Sequence, residues 1–191
     1  MAKENHFATP LDLKTIDKTW TLFLDRDGVI NEEVVGEYIL HWDGFIFTKG
    51  ALEAFKIFSE KFGRIIIVTN QRGVKKGLMT EEALLHIHNE MQKQIKSAGG
   101  RIDKIYYCTD LDDNCFSRKP NPGMALEAAK EFPEIEFPRS IIAGNKTSDM
   151  LFGRAVGMFT VFIASTNPEQ AFPHPDIDFI FPSLSAFAQT L

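Results

Sequence analysis

Residues 64–69 read RIIIVT, a stretch so apolar and β-branched that a strand built from it needs cover on both faces. Cover on both faces is what helices packed above and below a parallel sheet provide, and the rest of the chain supplies the helices. Residues 50–62 carry Leu52, Phe55, Phe58 and Phe62 at helical spacing, giving one apolar face. Thr80 reads as an N-cap with Glu81 and Glu82 in the first turn, opening a helix to about Ala98. Its inner stripe is Leu84, His88, Met91 and Ile95, with His88 read as packing or as a partly buried surface residue.

The alternation extends in both directions. Strands are expected at 21–24, 104–107, 140–143, 159–164 and 178–181, and helices at 122–132, 149–156 and 183–191. This predicts an α/β fold, a doubly wound and largely parallel sheet with helices on both faces. No repeat, low-complexity tract or linker interrupts it, and no segment is long enough for a separate cap. Residues 1–191 therefore read as one domain.

Ligands of such sheets gather beyond the C-terminal ends of the strands. The first strand ends at Asp25-Arg26-Asp27-Gly28 and the next at Thr69-Asn70-Gln71. A later loop carries Arg118-Lys119-Pro120, and the fourth strand opens into Gly144-Asn145-Lys146-Thr147-Ser148-Asp149. Two adjacent carboxylates repel, so Asp25 and Asp27 call for a cation. Carboxylates, a hydroxyl and an ammonium at one sheet edge suit a phosphoryl group beside a hard cation. Taken singly, Asp-x-Asp-Gly also suits a plain turn, Thr69-Asn70 a strand end and Lys119-Pro120 a surface turn.

Four segments in order carry more weight than any one: DRDGVINEE (25–33), VTNQRGV (68–74), RKPNPGM (118–124) and GNKTSDM (144–150). With them the chain resembles the haloacid dehalogenase superfamily, in particular the small phosphatases of the D,D-heptose 1,7-bisphosphate and histidinol phosphatase type. The resemblance implies a Rossmann-like fold without a cap and Mg²⁺-dependent phosphomonoester hydrolysis. It implies Asp25 as nucleophile, forming an aspartyl-phosphate, and Asp27 as general acid and base. Thr69 and the Asn70 backbone N–H would hold phosphate oxygens, with Lys119 offsetting the charge. Mg²⁺ would sit among Asp25, the Asp27 carbonyl and Asn145, while Asp149 would position Lys119 or a metal-bound water.

The chain departs from that pattern twice. Asn145 stands where relatives carry Asp, which removes one charge from the metal site and leaves a catalytically weak phosphate-binding protein as an alternative. In CTDLDDNCFSRKP, Cys108 and Cys115 remain from a zinc loop, but Asp110 and Ser117 replace a His and a Cys. Two thiolates and a carboxylate make a poor structural zinc set, so no zinc is expected.

Substrate choice falls to the loops. Arg118 is placed for a second anionic group or sugar hydroxyls, with Lys146, Lys75 and Lys76 as further cations. These suit a sugar bisphosphate; histidinol phosphate would instead want an acidic wall, which Glu32, Glu33 and Glu37 could supply. A net charge of -5 speaks against a nucleic-acid partner. The opening MAKENHFATPLDLKTIDKTW has no apolar core, and no run reaches the roughly 20 residues of a membrane span. With two cysteines, the expectation is a cytoplasmic monomer acting on a small phosphorylated metabolite.

Overall fold

The computed structural model describes residues 11–33 and 36–191; the first half of the opening segment read above lies outside them. Six strands form one sheet: β1 (Thr21–Leu24), β2 (Arg64–Asn70), β3 (Lys104–Cys108), β4 (Ser140–Gly144), β5 (Phe159–Ile163) and β6 (Phe179–Phe181). Their order is β3-β2-β1-β4-β5-β6, and every pairing is parallel. The chain winds outward from β1 to β3, then returns to β4 on the other side of β1. The ends of β1 and β4 therefore meet at the switch point where such sheets bind ligands.

Strand alternation sorts the core into two layers. Leu22 and Leu24 point with Ile65, Ile67, Ile141 and Ala143 into one layer, with α1 (Ala51–Lys61), α3 (Glu81–Ser97) and α6 (Leu184–Ala188). Phe23 points the other way with Ile66, Val68 and Ile142, against α4 (Gly123–Glu131) and α5 (Thr147–Val156). Both faces are covered, as the RIIIVT run requires. Thr80 caps α3 as expected, its hydroxyl accepting from the Ala83 N–H at 3.1 Å. The expected elements all form, with boundaries moved by a residue or two at most sites. One short helix, α2 (Arg72–Lys75), follows β2 in a stretch to which the sequence reading assigned no element. No helix among the described residues is long and apolar enough to cross a membrane.

Candidate active site

Asp25 follows β1 directly, and its N–H continues the ladder to the Ala143 carbonyl at 3.0 Å. The chain then turns back tightly: the N–H groups of Ile30 and Asn31 both donate to the Arg26 carbonyl, at 2.8 and 3.2 Å. Gly28 adopts φ +81°, and a Cβ there would lie 2.0 Å from Asn145 Nδ2. Only glycine lets the β1 and β4 loops approach this closely. Gly144 does the same one layer back, since its Cβ would meet the Asp149 side chain at 2.3 Å.

Lys119 lies between two carboxylates, its Nζ 2.9 Å from Asp25 Oδ1 and 2.6 Å from Asp149 Oδ1. All three side chains are buried. Burial pushes the Asp25 carboxyl above the ordinary carboxylate range, against the pull of Lys119, and Asp149 adds to the rise. Burial opposes the Lys119 charge as well, but Asp149 and Asp25 overcome it and raise its pKa. Asp149 spends its other oxygen on the Lys146 N–H at 3.0 Å. Of its two expected roles, these contacts favour holding Lys119.

Asp27 has a cation of its own. Arg26 donates to its carboxylate from Nε and Nη2 at 2.8–3.1 Å. Asn31 Nδ2 donates at 3.0 Å and Gln71 Nε2 at 2.8 Å. Burial acts to raise this carboxyl, but Arg26, Asn31 and Gln71 outweigh it and hold it below the usual range. So the repulsion between the two aspartates is relieved largely within the chain, by Lys119 for one and Arg26 for the other.

Thr69 and Asn70 arrive from β2. Gln71 Nε2 also donates to Thr69 Oγ1 at 2.8 Å, tying that hydroxyl to Asp27. The Asn70 amide clasps the Lys119 backbone in both directions, at 3.0 and 3.1 Å. Asn145 Nδ2 donates to Glu33 Oε2 at 2.9 Å and Thr166 Oγ1 at 2.7 Å, while its Oδ1 is buried with no hydrogen-bond partner.

Of these residues, Asp25, Asp27, Glu33, Asn70, Lys119 and Asp149 line a cavity of about 410 Å³ that also reaches Glu37, Tyr38, Arg72 and Arg118, while Thr69 and Asn145 lie outside its lining. Its cations are already paired. Arg118 Nε donates to Asp113 at 3.0 Å, Arg72 meets the same carboxylate, and Lys146 Nζ lies 2.5 Å from Glu33. Lys75 instead holds Asp110 at 2.8 Å, and Lys76 lies over the Tyr38 ring. The loop after β3 is built from Asp side chains accepting backbone N–H groups: Asp110 from Asp112 and Asp112 from Asn114. Cys108 and Cys115 are free thiols with sulfurs 3.9 Å apart.

Sequence reading missed Arg26, Asn31, Gln71 and His88 as parts of this site. Among the described residues Arg26 is the largest fully buried side chain, and its Nη1 lies 3.2 Å from His88 Nε2. Burial and the nearby guanidinium depress the His88 pKa from 6.5 to about 3. The depressed value has a stability consequence. The unfolded chain takes up a proton here below about pH 6.5, whereas the folded chain stays neutral until about pH 3. Stability is therefore lost as pH falls through that window. Between pH 7 and pH 5 this group alone costs about 2 kcal/mol. Urea unfolding at both values should show that loss, and His88→Gln should lack it; an equal loss in the variant excludes His88 as its source.

A family described as polynucleotide kinase 3 phosphatase matches residues 24–181. The chain is 38% identical over 170 residues to D-glycero-alpha-D-manno-heptose-1,7-bisphosphate 7-phosphatase of Mycobacterium bovis, covering 88% of this chain and 90% of that protein. It is 35% identical over 155 residues to the beta-heptose counterpart of Helicobacter pylori, covering 80% and 87%. Among solved structures, D,D-heptose 1,7-bisphosphate phosphatase from B. bronchiseptica, complexed with magnesium and phosphate, superposes with a TM-score of 0.80. That pair is 25% identical over 89% of this chain and 96% of the other. With relatives of this kind along most of its length, the chain belongs to the haloacid dehalogenase-like phosphatases, in the family of the heptose 1,7-bisphosphate 7-phosphatases.

Proposed function

We propose that this phosphatase removes the 7-phosphate of a D-glycero-D-manno-heptose 1,7-bisphosphate, with Mg²⁺ bound and through an aspartyl-phosphate on Asp25. The observation that carries the reading is the buried Asp25–Lys119–Asp149 trio at the β1–β4 switch point. Asp25 attacks phosphorus in line with the departing sugar oxygen, and Lys119 offsets the charge brought together there. Thr69 Oγ1 and the Asn70 N–H hold phosphate oxygens. Asp27 protonates the leaving alkoxide and then activates water against the aspartyl-phosphate. In the free enzyme Asp27 is held ionised by Arg26; the entering phosphate dianion raises its pKa and favours the protonated form needed for the first step.

The donor set suits a hard cation: the Asp25 carboxylate, the Asp27 carbonyl and the orphaned Asn145 Oδ1 are all oxygens. When bound, Mg²⁺ polarises the phosphoryl group and screens Asp25 from it. In the loop after β3 no zinc is proposed, because Lys75 competes for Asp110 and Ser117 offers no thiolate. Arg118, with Arg72, is the proposed seat of the second phosphate, which displaces Asp113; Lys146 flanks the sugar. The acidic side chains of Glu33 and Glu37 around the cavity favour a small substrate over a nucleic acid, as does the net charge of -5. We further propose that residues 1–191 act as a single domain and as a monomer.

Phosphate release from the alpha and beta heptose 1,7-bisphosphates, measured with and without Mg²⁺, tests this reading. Mg²⁺-independent release, or release from neither anomer, overturns it. Asn145→Asp sharpens the metal assignment. A carboxylate there loses the donor to Glu33 and faces that acid as a like charge. Metal-free Asn145→Asp should therefore melt below the wild type, gain more stability from Mg²⁺, and reach half-maximal activity at several-fold lower Mg²⁺. Equal Mg²⁺ responses in the two proteins would remove Asn145 from the ligand set.

A further inference from the structure

The three nitrogens of Arg26 face two ways. Nε and Nη2 serve Asp27, whereas Nη1 turns toward α3 and His88 Nε2. A guanidinium carries donors only, so Nε2 must accept, which makes the imidazole neutral with its proton on Nδ1. His88 is 3% exposed, and the Tyr107 ring packs against it with centroids 5.6 Å apart. Its ring has little room to turn. Because the guanidinium is one rigid plane, fixing Nη1 also fixes the edge presented to Asp27.

We propose that His88 is a positioning residue for Asp27, acting through Arg26. Asn31 and Gln71 also touch that carboxylate, but neither is charged and neither contacts it in the paired fashion of Arg26. Without an acceptor at position 88, Arg26 Nη1 is a buried donor with nothing to meet, and the guanidinium turns to satisfy it. The Asp27 carboxylate turns with it. This inference rests on the reading of Asp27 as general acid. In that step the bond from Asp25 to phosphorus forms as the bond to the sugar oxygen breaks, and the alkoxide takes the Asp27 proton.

The leaving group separates this role from a merely structural one. A sugar alkoxide needs the proton; the nitrophenolate of p-nitrophenyl phosphate departs without it. kcat/KM, which covers steps through that first cleavage, should fall roughly tenfold for heptose 1,7-bisphosphate in His88→Leu and stay within about twofold for p-nitrophenyl phosphate. His88→Gln, whose amide oxygen can accept from Arg26, should restore the sugar activity, and the shorter His88→Asn should not. His88→Asn gives the same reading if His88→Leu does not fold. In an Asp27→Asn background, the change at 88 should add nothing. Equal losses on both substrates, or additive losses in the double variant, overturn the proposal. If Asp27→Asn loses both substrates alike, the acid role falls and the His88 role with it; if Asp27→Asn is selective and His88→Leu is indifferent, only His88 is excluded.

Discussion

Asp25→Asn is expected to lower turnover at least about a thousandfold while leaving the fold no less stable than the wild type. The two halves of that result have different causes. An amide does not attack phosphorus to give a stable ester, so the covalent route closes. Stability follows from charge. Asp25 and Asp149 bring two negative charges to one Lys119, and burial already pushes Asp25 toward its neutral form. A neutral amide at 25 leaves a matched Lys119–Asp149 pair, and its carbonyl still accepts from the Arg26 N–H, now 2.8 Å from Asp25 Oδ1. Phosphate release and thermal melting of the same preparation check both halves. Mg²⁺ should also stabilise the variant less than the wild type, since a charged ligand is gone. Full turnover in the variant rules out the covalent mechanism, and a large fall in melting temperature rules out the charge argument.

The fold was legible because its signals are local. RIIIVT needs no partner to be read as a doubly covered strand, and the Phe55–Phe58–Phe62 spacing marks its helix face unaided. The strand-end rule then gathered Asp25, Thr69, Lys119 and Asn145 at one edge, where they lie. What escaped were contacts that only the folded chain creates. Arg26 sits between two aspartates and was given no role of its own, yet it is fully buried, with His88 as its second partner 62 positions along the chain. His88 on an apolar stripe gave no sign that it accepts a hydrogen bond there. Gln71 read only as part of a strand end, and it links Asp27 to Thr69. Arg118 lines the cavity, and its pairing with Asp113, shared with Arg72, depends on how the loop after β3 folds back on α2. The Asp110 that argued against zinc proved to have an alternative partner in Lys75.

Lys119→Met should be damaging in both activity and stability, which sets it apart from Asp25→Asn. Met matches the length of the lysine stem and fills the same buried space, so packing changes little. Charge changes by one full unit at the centre of the trio. Asp25 and Asp149 are then left as buried carboxylates with no cation between them, and breaking a buried pair in this way costs about 3–5 kcal/mol. The cost should depend on pH with a definite sign. Asp25 gains further reason to stay protonated once Lys119 is gone, and it is already raised by burial with Lys119 present. A carboxyl raised in the folded state binds more protons than in the unfolded chain, so stability increases as pH falls. The variant should therefore be closer to the wild type at pH 5 than at pH 8. Turnover should drop roughly a hundred- to a thousandfold, the usual consequence of removing one group that stabilises transition-state charge. Denaturant unfolding at the two pH values, beside phosphate release, checks all three expectations. Undiminished stability at pH 8 would mean that water or the cavity's other cations already compensate Asp25 and Asp149, and the trio would lose its place at the centre of the site.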